Sequence, residues 1–209
     1  MHIEPGYLTL AKTTAANVAA VGLLAAYLPA LVKQPSLILR TLIAAGFFSL
    51  FMQIFHLPVG PSELHFVGAM PIYLILGFVP TLLGFGVGLL FQGLVFDPGD
   101  LVHLGVNTLS LTIPLILVHY TLGQRIARID VPTILKLDAT YYGGVTMMVG
   151  FWLLLSQDAT PIADWGLFAA SYLAIVALEP VVTFLLVKVV QPYAERPGFR
   201  LCVDLPARA

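Results

Sequence analysis

The chain opens Met1-His2, and that pair can chelate. The α-amine of Met1, the backbone amide nitrogen of His2 and the His2 ring Nδ1 lie within reach of one metal ion. Binding closes two fused rings, one through the peptide unit and one through the side chain. With the amide deprotonated, the three nitrogens lie nearly in a plane and a fourth ligand completes a square. That geometry suits Ni(II) or Cu(II), and Co(II) less strictly. The ordinary alternative is a frayed terminal residue, since first residues are usually poorly ordered.

His65 is the next candidate ligand. It follows the stiff stretch Gly60-Pro61-Ser62-Glu63-Leu64, and a rigid loop can aim an imidazole. The alternative is an interfacial histidine bonded to backbone. Asn107 sits in an apolar run, where an unsatisfied amide is costly, so it either orients a ligand set or joins helices. Ser62 and His103 are further polar groups near the same face. Asp97 and Asp100, in Asp97-Pro98-Gly99-Asp100, read as turn chemistry. Glu179, Lys136 and Asp138 are ionisable groups in or near apolar segments, and such groups are functional candidates by default. Lys136 and Asp138 are expected to snorkel to the nearer membrane surface.

The elements that position these groups follow from composition. The chain has 209 residues, 59% hydrophobic and 10% charged, with a mean hydropathy of +0.94. Soluble domains carry about 25% charged residues. Apolar runs of about 20 residues read as membrane-spanning helices. The expectation is an all-α, polytopic integral membrane protein forming one membrane domain over residues 1–209. A net charge of −1 gives no sign of a nucleic-acid partner, and the expected surroundings are a lipid bilayer. The one cysteine, Cys202, excludes an internal disulfide and a Cys-based cluster. No convincing signal peptide precedes the first apolar run, so Met1 is expected to be retained.

About seven spans can be drawn: Thr14–Val32, Leu37–Leu57, His65–Leu76, Val79–Phe96, Leu101–Leu122, Pro132–Ser156 and Trp165–Val190. The third is short, and residues 65–96 are expected to form two tilted helices joined by a tight turn. Cytoplasmic loops are enriched in Lys and Arg. With seven spans, Lys33 with Arg40, Arg125 with Arg128, and the basic residues from Lys188 onward all fall on one side. The N-terminus is then outside and the C-terminus cytoplasmic, with 191–209 as a cytoplasmic tail. His2, His56, His65 and His103 gather on the outer face with the free amine, and His119 falls at the inner end as a structural residue.

The start Met1-His2-Ile3, the stretch Gly60-Pro61-Ser62-Glu63-Leu64-His65-Phe66-Val67-Gly68, then Leu90-Phe91-Gln92-Gly93-Leu94-Val95-Phe96 and Leu104-Gly105-Val106-Asn107-Thr108-Leu109, together resemble the CbiM/NikM family. These are substrate-binding membrane components of energy-coupling factor transporters for cobalt and nickel. The likeness in order and spacing covers roughly the first 115 residues. It implies seven membrane helices, with an N-terminal segment (residues 1–13) inserted into the bundle. It implies a metal site of Met1, His2 and His65; Asn107, Ser62 and His103 are expected, from their own positions, to stand around it. The bound Ni2+ or Co2+ is the transported substrate, and no cofactor is expected. The implied partners are a transmembrane coupling subunit, ATPase subunits and a small accessory membrane subunit, in a bacterial or archaeal cell membrane. One departure stands out: Glu4-Pro5 occupies the place where the family usually reads Pro-Asp.

Other classes fit less well. No P-loop is present, so ATP hydrolysis belongs to another chain. An intramembrane hydrolase would need Ser62 or Ser110 beside a histidine, outside the usual strand–turn–helix context. A stand-alone metal carrier would need no ATPase.

Overall fold

The computed structural model of the chain describes residues 6–59, 62–157 and 161–205. Seven of its helices and one hairpin build the membrane body: α1 (Leu10–Lys33), α2 (Ser36–Ile54), β1 (His56–Val59), β2 (Ser62–His65), α3 (Ala69–Leu76), α4 (Phe78–Val95), α5 (Leu104–Thr121), α6 (Val131–Leu154) and α7 (Ile162–Val190). A short α8 (Phe199–Cys202) follows. Five helices, namely α1, α2, α4, α5 and α7, are long and apolar enough to cross a bilayer. Helix α6 matches them in length at 24 residues but carries Lys136 and Asp138. The chain is an all-α, polytopic membrane protein.

Local chemistry sets the helix ends. Thr9 caps α1, its hydroxyl accepting from the Lys12 amide at 3.4 Å. Asp130 caps α6 by accepting from the Thr133 amide at 2.9 Å. The bonds from Thr133 hold the half-buried Asp130 carboxyl below its usual pKa, because they favour the charged form. Helix α1 therefore begins at Leu10, and the expected separate N-terminal segment 1–13 is shorter than drawn. Its last four residues, 10–13, are helical.

Helices α2 and α4 pack most closely, and they run parallel. A Cβ on Gly84 would lie 2.6 Å from the Ala44 Cβ, and one on Gly88 would lie 2.5 Å from the Phe48 ring. Further along the pair, Gln92 Nε2 donates to the Ser49 carbonyl at 2.9 Å and Gln53 Nε2 donates to Gln92 Oε1 at 2.6 Å. Contacts advance together along both helices, as parallel packing requires. The chain between them must therefore return the whole length of the pair.

The return is not one helix. The expected span His65–Leu76 is corrected: residues 62–65 form β2, and only Ala69–Leu76 are helical. At 1.5 Å per residue, eight residues rise about 12 Å, against about 30 Å of hydrocarbon. The hairpin, with His56 opposite His65 and Val59 opposite Ser62, and the irregular residues 66–68 supply the rest. Glycines at positive φ bracket α3, Gly68 at 63° and Gly77 at 92°, where a Cβ is strained. The tight turn expected between the third and fourth segments is present, at Gly77.

Two ends of the bundle differ in charge. Lys33, Arg40, Arg125, Arg128, Lys136, Lys188, Arg196 and Arg200 gather at the end where α1 stops, α6 starts and α7 stops. They are eight of the ten basic residues; Lys12 lies at the other end and Arg208 outside the described residues. Residues beyond α7 fold back there: the Asp204 amide donates to the Ile75 carbonyl at 2.7 Å.

Candidate functional site

At the opposite end, residues 6–9 tie down the chain's start. The Gln157 amide donates to the Tyr7 carbonyl at 2.8 Å, and its side chain donates to the Gly6 carbonyl at 3.3 Å. Leu8 is buried among Ala16 and Ala20 of α1, Val106 and Leu109 of α5, and Trp152 of α6. Lys12 Nζ donates to the Leu155 carbonyl at 2.6 Å. Met1 and His2 lie outside the described residues.

His65 lies at this same end as the last residue of β2, and it is 5% exposed. Its ring Nε2 is 2.9 Å from Glu63 Oε2. A carboxylate can only accept, so this contact selects the Nε2–H tautomer. Nδ1 stands 3.4 Å from the Met52 carbonyl oxygen, a long and weak contact. The strand geometry explains the pairing: Glu63 and His65 are two apart on β2 and so project from one face. Glu63 was visible in the sequence only as part of a motif, because its contact depends on residues 62–65 being extended.

His103 and Asn107 sit one turn apart at the start of α5. Both are 1% exposed, yet His103 Nδ1 and Asn107 Oδ1 have no hydrogen-bond partner among the described residues. Ser62 pairs its backbone position with Val59; its side chain lies outside the described residues. His65, His103 and Asn107 thus share one end of the bundle. Among the described residues, no three His, Cys, Asp or Glu side chains converge to hold a metal ion.

Two polar contacts nearby gave little signal in sequence. Asn17 Oδ1 accepts from the Gly105 amide at 2.6 Å, satisfying a donor at the start of α5. The Gln53–Gln92 amide pair joins the C-terminal ends of α2 and α4. Each partner lies on a different helix, so no local spacing announces the pair.

Other expectations resolve plainly. His119 is structural: its Nδ1 is 3.0 Å from the Tyr73 hydroxyl, and its ring stacks on Phe78 at 3.8 Å. Asp97 accepts from the Gly99 amide at 2.9 Å, as turn chemistry predicts. Ser110 is committed elsewhere, donating to the Val106 carbonyl at 2.8 Å and accepting from Trp152 Nε1 at 3.0 Å. No described histidine activates it. Asp138 does not snorkel. It is fully buried beside Glu179, because it lies on the inward face of α6 with Tyr141 and Tyr142. Lys136, on the outward face, is exposed.

The fold and sequence both have relatives. One solved structure, titled as a crystal structure of a transition metal transporter, aligns over 96% of this chain and 97% of its own, with a TM-score of 0.72 at 20% identity. At that identity the likeness establishes the fold. No curated protein matches the chain. The family described as the cobalt uptake substrate-specific transmembrane region, CbiM, matches residues 2–197. A match across nearly the whole sequence is decisive: the chain belongs to the CbiM family and is a membrane component of metal uptake.

Proposed function

We propose that the protein is the substrate-capturing component of an energy-coupling factor transporter, taking up Ni2+ or Co2+ from outside the cell. The observation that carries this is the His65–Glu63 pair at the end where residues 6–9 anchor the chain's start. A metal-binding histidine almost always donates its other ring N–H to a carboxylate or carbonyl. Nδ1 of His65 is then the metal-binding nitrogen. Five residues precede Gly6, enough to reach about 17 Å when extended. The Met1 amine, the His2 amide nitrogen and the His2 ring nitrogen complete the square with His65. Asn107 and His103 stand around it with hydrogen-bonding capacity to spare.

The return from α2 to α4 counts as a crossing, which makes seven in all. Seven crossings put the chain's start and its end on opposite sides. The basic end is cytoplasmic by the positive-inside tendency, so the acidic end with Glu63, Asp97, Asp100 and Asp164 faces outward and attracts cations. Uptake is driven by separate ATPase subunits through a transmembrane coupling subunit, with a small accessory membrane protein as a further partner, in a bacterial or archaeal cell membrane.

The test is Ni2+ and Co2+ binding by the purified chain with its native N-terminus. His65→Ala and His2→Ala are expected to abolish tight binding, and so is an N-terminal extension, which removes the free α-amine. Parent-like affinity in His65→Ala sinks the proposed site.

A further inference from the structure

We propose that Glu179 is a positioning residue for His65, acting through the half-helix α3. This rests on the His65 metal-site reading above. Glu179 is fully buried in the middle of α7. Its Oε1 accepts from the Met70 amide at 3.0 Å, and its Oε2 accepts from the Tyr142 hydroxyl. The Ala69 amide also faces it. These amides belong to the first turn of α3 and have no partner within that helix. In the bilayer interior no water replaces the lost partner, so a side chain from another helix supplies it.

The link from this cap to the imidazole is short and rigid. The Phe66 amide donates to the Phe55 carbonyl at 3.3 Å, and the Phe66 ring meets Phe51 edge-on at 5.4 Å. Val67 is fully buried. Gly68 lies at φ +63°, where a Cβ would stand 2.1 Å from the Phe51 ring. These contacts limit how far the segment between His65 and Met70 can absorb a shift of α3. The carboxylate of Glu179 therefore sets where the strand ends and where His65 Nδ1 stands.

The experiment uses the full chain with its native N-terminus in lipid nanodiscs. Ni(II) affinity is measured against a competing chelator, and the d–d absorption band is recorded with Cu(II). His65→Ala supplies the reference for a lost in-plane nitrogen: weak binding and a band at lower energy. Glu179→Leu is expected to weaken Ni(II) about 10- to 100-fold, the range for groups that orient metal ligands, and to move the band toward the His65→Ala position. Glu179→Gln keeps an acceptor for Met70 and a polar contact for Tyr142, and it is expected to restore the parent band and affinity. If Glu179→Leu does not fold, Tyr142→Phe decides, with a smaller shift in the same direction expected. A parent band and affinity in Glu179→Leu, or in Tyr142→Phe where Glu179→Leu does not fold, overturns the positioning role while His65→Ala still fails to bind. Parent behaviour in His65→Ala overturns the metal-site reading, and the positioning role with it.

Discussion

Arg40 and Asp204 stand 164 positions apart in sequence and 2.6 Å apart in the fold. The Arg40 side chain is 7% exposed and that of Asp204 is 57% exposed. Arg40 also donates to the Leu201 and Arg200 carbonyls, each at 3.1 Å. One guanidinium thus gathers the C-terminal tail onto α2. Asp204 in turn lies against Gly77, where a Cβ would come within 2.7 Å of its Oδ2. The two residues hold the C-terminal end of α3 in place.

The two partners are expected to contribute unequally. Arg40→Met removes all three contacts, among them charged-donor bonds to two carbonyls, at a cost of about 2–3 kcal/mol. Asp204→Asn keeps the backbone bond to Ile75 and weakens only a half-solvated ion pair, worth about 0–1 kcal/mol. Thermal unfolding of both variants in detergent checks the ranking; equal losses would refute it.

Glycine contacts predict a second ranking. A Cβ at Gly105 would lie 2.4 Å from the Asn17 Cα and 2.5 Å from its nitrogen, both backbone. A Cβ at Gly86 meets the Leu24 Cδ1 at 2.6 Å, the tip of a flexible side chain. Gly105→Ala should therefore cost about 1–3 kcal/mol or more, while Gly86→Ala is close to neutral. A smaller shift in unfolding temperature for Gly105→Ala than for Gly86→Ala contradicts this packing.

Asn107 offers a test in which stability and binding part company. Its Oδ1 is buried without a partner, so Asn107→Leu removes an unpaid desolvation and should leave stability level or raise it by about 1 kcal/mol. If the amide orients the ligand set, the same change weakens Ni(II) about 10-fold. Parallel measurement of unfolding and metal affinity distinguishes this from an interhelical tie, which would lower stability and spare binding.

Asp138 lies within hydrogen-bonding reach of Glu179, and two carboxyls make that bond only when one of them is a donor. An amide of the same shape supplies one. Asp138→Asn is expected to raise stability by about 1 kcal/mol, read as a higher unfolding midpoint near neutral pH. A clear loss of stability would mean that the carboxyl itself is required.

Metal affinity should rise with pH. The proposed donors must lose protons to bind: the α-amine, with an ordinary pKa of about 7.7–8.0, the His2 amide, and any protonated imidazole, near 6.5. Binding releases protons, so affinity falls steeply from about pH 8 to pH 6. Ni(II) titrations across that window in two buffers of different ionisation enthalpy also count the protons released; a flat profile argues against an amine ligand.

The proposed ligands could be named from the sequence because they are tied to fixed places in the chain. A histidine at position 2 carries its own amine and amide. His65 follows a proline-stiffened loop. The α2–α4 return was harder to read. Residues 65–76 are apolar enough to pass for a helix, but Gly68 and the hairpin keep the first four out of it. Glu63 becomes a partner of His65 only in that extended geometry, since a helix would turn the two to different faces.

Sequence by itself determined that the chain enters a membrane, how often its apolar runs recur, and where its basic residues cluster. These are properties of composition and order, set by the cost of placing charge and open backbone in hydrocarbon. Tertiary structure alone decided that α2 and α4 run parallel, that Asp138 turns inward to Glu179, and that the Glu179 carboxylate caps α3. Those contacts join residues far apart in sequence, where packing of side chains from separate helices chooses the partner and no local period records it.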